Sequence, residues 1–173
     1  AQALAVEKEL MEEISIVTHE SLNAQAAANE TALLQKRKNL TPKDLENLAD
    51  KFGLIGDFEK QQDLLKKCRT VATSESTLKR LNKKLINLNF YELRNWPAVL
   101  RIELDDWRSL ILKGRACVNL CKFEQAEEFL LEALKFSNAD ITAQAALFFY
   151  YRQRGNMKMA EKYESEALSL ETI

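Results

Sequence analysis

Apolar side chains recur at intervals of three and four from Leu110 to Leu120, the pattern breaks at Cys121-Lys122, and it resumes from Phe123 to Phe136. That period belongs to amphipathic helices, so the stretch Trp107 to Asp140 predicts two antiparallel helices joined by a tight turn. Small residues fall at Gly114, Ala126 and Ala133, where two helices must approach closely. Larger ones fall at Leu110, Leu130 and Leu131, where the gap between them needs filling. Upstream, Thr41-Pro42 predicts a helix start, because Thr can cap and Pro at the first helical position forfeits no hydrogen bond. Leu45, Leu48, Ala49 and Phe52 follow on one face. After the turn at Gly56-Asp57, a partner helix from Phe58 to Ala72 turns Leu65 and Cys68 inward, with Gln61 where a small residue is expected.

From Ser76 a helix runs to a turn at Asn95-Trp96-Pro97, and its partner, Pro97 to Glu103, is short. Ile141 to Arg154 and Met157 to Leu170 form the last pair, with Ala160 and Ala167 at the small positions. Turns therefore recur at Phe58, Trp96, Phe123 and Met157. Met157 falls 34 residues after Phe123, but Phe123 only 27 after Trp96, so the second unit has lost roughly two helical turns. Gly56 and Gly155 both stand two residues before the landmark, where a left-handed residue ends a helix. Ahead of all this, residues 3–22 put Leu10, Ile14 and Val17 on one face, and an alanine-rich helix from Ala24 to Lys36 follows. These predict an N-terminal helical cap or a degenerate repeat.

The three small positions and the break, at those offsets within 34 residues, resemble the tetratricopeptide repeat (TPR), although Lys113 and Cys117 replace that family's usual leucine and tyrosine. The resemblance implies an all-α, TPR-like solenoid of helical hairpins, with three to four repeats plus the N-terminal cap. Its boundaries would be a cap or degenerate repeat at 1–40 and a TPR-like domain at 41–173, with repeats at about 42–75, 76–106, 107–140 and 141–173. Stacked hairpins of this kind bury their faces against one another and leave a concave groove lined by the first helix of each pair.

Composition narrows the function. Four glycines and two prolines suit helices better than a turn-rich β fold. A net charge of −1 provides no global field to recruit nucleic acid or membrane, and no apolar run approaches a membrane span. Cys68, Cys117 and Cys121 make no even framework and read as reduced thiols, which points to a cytoplasmic or nuclear setting. The chain opens on Ala, which suggests excision from a longer protein.

Candidate chemistry is sparse. His19 stands among carboxylates and reads as a surface residue. Cys117 and Cys121 share a helix face but have no further ligand nearby, and they read as core packing. Phe148, Phe149, Tyr150 and Tyr151 are explained in part by helix packing. No phosphate-binding glycine loop, zinc spacing or nucleophile elbow occurs, so no enzyme activity, metal or cofactor is expected of this segment. Lys66, Lys67, Arg69, Lys79, Arg80, Lys83 and Lys84 form one basic concentration. It reads first as a solvated face, with an acidic partner or an RNA backbone as the alternatives.

Within the TPR family, NLNFYELRNW (87–96), LKGRA (112–116), FEQAEEFLLEAL (123–134) and RQR (152–154) are similar to the repeats of FK506-binding immunophilin-type chaperone cofactors. This resemblance implies an isomerase-like domain in the parent protein and a protein or peptide ligand, the acidic tail of an Hsp90- or Hsp70-type chaperone. In that family, carboxylates of the tail are gripped by Lys, Asn and Arg. By repeat position those groups fall here on Glu46, Asp50, Leu85, Arg108 and Leu112, with Asn82 or Asn87 as substitutes for Leu85. Only Arg108 keeps the chemistry, and two acids would repel a dianion, so the clamp is degenerate and any chaperone contact non-standard. A scaffold or assembly-subunit module unrelated to chaperones is the alternative, and an RNA-associated adaptor a lesser one. Spacings of three and four place Leu81, Lys84, Leu88 and Tyr91, then Arg108, Ile111, Arg115 and Val118, then Ala145, Phe149 and Arg152 toward the groove. Basic and apolar residues interleave there, which suits a segment bearing acidic and apolar side chains.

Overall fold

The computed structural model describes residues 40–136 and 141–171, with Asn29 and Ala32 besides. The expected N-terminal cap and His19 lie outside the described residues, apart from those two positions. Among the described residues every regular element is helical: α1 (Pro42–Leu54), α2 (Phe58–Val71), α3 (Glu75–Asn87), α4 (Trp96–Leu100), α5 (Trp107–Asn119), α6 (Phe123–Phe136), α7 (Ile141–Gln153) and α8 (Met157–Glu171). A π-helical turn, Leu88–Glu92, extends α3. Contacts divide the chain into two compact units, Ala1–Ala72 and Thr73–Ile173.

In the first unit α1 and α2 form one hairpin. Thr41 caps α1 through a reciprocal pair in which the Asp44 amide donates to Thr41 Oγ1 at 3.2 Å and the Thr41 amide donates to Asp44 Oδ2 at 3.0 Å. Pro42 occupies the first turn, as the sequence predicts. Leu48, Ala49, Phe52, Leu65 and Cys68 are buried between the helices.

In the second unit α5/α6 and α7/α8 pair as hairpins, with α7 packed on both α5 and α6. Their shared core includes Leu110, Leu130, Ala133, Leu147, Ala160 and Tyr163. Ala126 and Ala133 are wholly buried at the helix contact. Lys113, in the family's leucine position, is 6% exposed, and its ammonium pairs with Asp105 at 2.7 Å. Glu127 of α6 accepts the Tyr151 hydroxyl in a very short hydrogen bond and the Tyr150 hydroxyl at 3.4 Å, while Tyr151 stacks on Tyr163 of α8. One carboxylate thus ties α6 to α7, and the tyrosine stack carries the tie on to α8.

All four turns, and not only the two with glycine, place a left-handed residue two positions before the landmark: Gly56 (φ 77°), Arg94 (φ 48°), Cys121 (φ 57°) and Gly155 (φ 72°). In three of them the helix closes identically, with Asp57 donating to Phe52 O, Lys122 to Cys117 O and Asn156 to Tyr151 O, each at 2.9 Å. That six-to-one bond requires the preceding residue to be left-handed, so the geometry persists where the sequence has Cys. The second turn is longer by one residue, with Asn95 donating to Asn89 O at 2.8 Å, because the π turn precedes it.

Candidate functional site

The site is built on α5. Asp106 caps that helix, accepting from the amides of Arg108 and Ser109 at 3.1 Å each and from Ser109 Oγ at 2.9 Å. This start places Arg108, Ile111, Arg115 and Val118 along one stripe. On either side of the stripe lies a hollow of about 370 Å³. One opens toward α3 and the π turn and is lined by Lys83, Asn87, Tyr91, Arg108 and Leu112 among others. The other opens toward α7 and is lined by Val118, Asn119, Ala145, Phe149 and Gln153 among others. Ile111, Arg115 and Thr142 belong to both, so the two hollows share a wall. Their size is near the lower end of the range of about 300–1,000 Å³ for ligand sites, enough for one or two large side chains each.

Tyr91 reaches its hollow because the helix is wound more loosely there. Leu93 donates to Leu88 O at 3.0 Å, five residues back, and the Asn89 side-chain amide donates to Leu85 O at 2.8 Å. Phe90 is buried, with its ring 5.0 Å from Tyr91 and 5.1 Å from Trp96, edge to face. Tyr91 is left 55% exposed. The sequence predicts an uninterrupted α-helix to Asn95, and nothing in its periodicity distinguishes one added residue in the last turn.

The electrostatics are one-sided. Among the described residues Lys83, Arg108 and Arg115 line the hollows, and no carboxylate does. Arg115 lies over the Phe90 ring at 4.9 Å and Arg108 over Trp107 at 4.8 Å. Stacking of this sort holds a guanidinium by one face and leaves its in-plane N–H groups to meet an acceptor.

Of the eleven groove residues expected from spacing, Tyr91, Arg108, Ile111, Arg115, Val118, Ala145 and Phe149 line the hollows. Leu81, Lys84, Leu88 and Arg152 do not. On α3 the lining stripe is Lys83, Asn87 and Tyr91, while Leu81, Leu85 and Leu88 turn inward and are buried, with Lys84 beside them and half-buried. The register is thus one residue from the expected one. On α7 the lining positions are Ala145, Phe149 and Gln153, and Arg152 lies over the Phe148 ring at 5.8 Å. Of the residues at the degenerate clamp positions, Leu85 is buried, Leu112 contributes an apolar wall, and Arg108 lines a hollow as a cation. Glu46, buried, and Asp50, exposed, belong to α1 in the first unit. Asn82 donates to Glu103 O at 2.9 Å. Among the described residues no three His, Cys, Asp or Glu side chains come together as metal ligands. Burial pushes the Cys117 thiol up, which makes it a poorer nucleophile.

No family model and no curated protein matches the chain. Solved structures do. A MamA crystal structure is 18% identical with a TM-score of 0.64, over 86% of this chain and 86% of that one. A MamA RS-1 double mutant is 17% identical with a TM-score of 0.63, over 90% and 91%. A MamA fragment, residues 41 to the end, from Desulfovibrio magneticus RS-1 is 17% identical with a TM-score of 0.60, over 87% and 96%. At these identities the likeness is one of fold, and the fold is the all-helical, TPR-like one.

Proposed function

We propose that this chain is a protein-interaction module of the scaffold or assembly type, which holds a segment of a protein partner along the face of α5. The carrying observation is the pair of adjoining hollows that the described residues line with cations and exposed aromatics. A TPR-like fold supports the reading, since such hairpins present their first helices to ligands. A chaperone-tail clamp is not favoured: of its five positions only Arg108 offers a cation, and Leu85 and Leu112 offer no polar side chain at all. The test is Arg108→Glu combined with Arg115→Glu, checked for helicity by circular dichroism and compared with the parent in a pull-down. The double reversal is expected to lose the parent's partners. Recovery of the same set would remove the groove as the binding face.

A further inference from the structure

We infer that the partner segment carries an acidic residue between two large apolar ones about three positions apart, with Arg115 holding the acid between the two hollows. This rests on the proposed binding face and specifies what that face reads. Three observations converge on it. Arg115 belongs to the wall common to both hollows, so one cation is shared between them. The Arg115 guanidinium lies over the Phe90 ring at 4.9 Å, and its planar fork of donors suits a carboxylate acceptor. Each hollow has its own exposed aromatic, Tyr91 at 55% in one and Phe149 at 63% in the other. Large aromatics in small apolar hollows are the usual anchors of a peptide interface.

Spacing follows from the helices. The hollows flank α5, and neighbouring helix axes lie about 8–10 Å apart, so their centres are separated by roughly that distance. An extended chain covers it in about three residues at roughly 3.4 Å each. Two anchors about three positions apart therefore reach both hollows, and a residue between them can face Arg115. Among the described residues three cations line the surface, and Ile111, Leu112, Val118 and Ala145 make much of its wall. That is too few charges for a nucleic-acid backbone and enough apolar surface for a peptide.

The full chain, immobilised, is offered a library of synthetic nonapeptides randomised at every position. Enriched peptides are expected to carry Asp or Glu between two large apolar residues about three positions apart. In fluorescence anisotropy with the best peptide, Arg115→Met should weaken binding roughly tenfold or more and Arg115→Lys by less, because Lys keeps the charge without the planar fork. Tyr91→Ala and Phe149→Ala should each erase the preference at one flank only. All variants are checked for helicity. Enrichment without a bracketed acid, or an affinity unmoved by Arg115→Met, overturns the inference, while the binding face itself survives if Tyr91→Ala or Phe149→Ala still weakens binding. No enrichment, or tighter Arg115-dependent binding of a single-stranded RNA 20-mer than of any peptide, overturns the inference and the peptide-binding reading together.

Discussion

The hairpins α1/α2 and α5/α6 each carry a glycine inside the first helix, and the two glycines serve different ends. A methyl group on Gly114 would lie 2.7 Å from Leu130 Cδ2 and Cγ and 3.3 Å from the Ala126 carbonyl. Leu130 is itself 1% exposed and packed in the shared core, so it can move aside only toward the hollow beside α7 and at the expense of its core contacts. A methyl group on Gly53 would meet only the amide end of Gln61, at 2.6 Å, in a side chain that is partly open to solvent. In α1/α2 the buried small residue is Ala49, and Gln61 occupies the place that Ala126 fills in α5/α6. A small residue in a helical hairpin therefore matters according to what faces it. Against a fixed core side chain it sets the distance between helices; against a long polar one it sets nothing.

The contrast is sharpened first by Ala126→Leu, expected to destabilise by roughly 1–3 kcal/mol through overpacking. An unchanged melting temperature would remove the close approach on which the comparison stands. Gly114→Ala comes next. Alanine is the better helix former by about 1 kcal/mol, but forcing Leu130 aside costs about 1–3 kcal/mol, so a net loss of up to about 2 kcal/mol is expected in urea titrations. Gly53→Ala should go the other way, gaining about 0.5–1 kcal/mol as the Gln61 amide swings clear. Equal signs for the two glycines would break the comparison. Smallest is Cys121→Gly, expected to gain a few tenths to about 1 kcal/mol by relieving a left-handed non-glycine residue, less the added freedom of the unfolded chain. A loss of stability there would mean the thiol contributes more than the turn costs.

Much of this fold was legible because helical period and small-residue offsets are strictly local. Ala126, Ala133 and Ala160 are buried, and Gly56 and Gly155 are left-handed, where spacing alone put them. The left-handed Arg94 and Cys121 escaped notice because the sequence signal for that conformation is glycine, whereas hydrogen-bond closure imposes it on any residue. Lys113 was visible as a departure from the TPR pattern, but its partner Asp105, eight residues back, answers to no helical spacing. In the site, spacings of three and four put Arg108, Ile111, Arg115 and Val118 on the α5 stripe that lines the hollows. The α3 stripe came out one residue off, at Lys84 and Leu88 in place of Lys83 and Asn87. Its run of alternating Leu and Lys leaves two stripes equally plausible until packing buries one of them. The TPR resemblance located hairpins that are present, whereas the narrower likeness to immunophilin-type cofactors found no support among the solved structures and, being carried by core positions, said little about groove chemistry.

The tie between Glu127 and the two tyrosines also makes the last two hairpins sensitive to alkali. Burial, reinforced by the Glu127 carboxylate, pushes the Tyr151 hydroxyl well above the usual tyrosine value of about 10. Burial first, and then the same carboxylate, raises Tyr150. Once unfolded, each hydroxyl gives up its proton near pH 10; folded, it keeps the proton to higher pH. Above pH 10 the unfolded chain therefore binds fewer protons, and stability that is fully present below pH 10 drains away as pH rises. Tyr151→Phe should lower stability at neutral pH, by about 1 kcal/mol for the lost hydrogen bond, and flatten its decline between about pH 10 and 12. Parallel pH curves for parent and variant would show that the proton on Tyr151 is not what alkali removes.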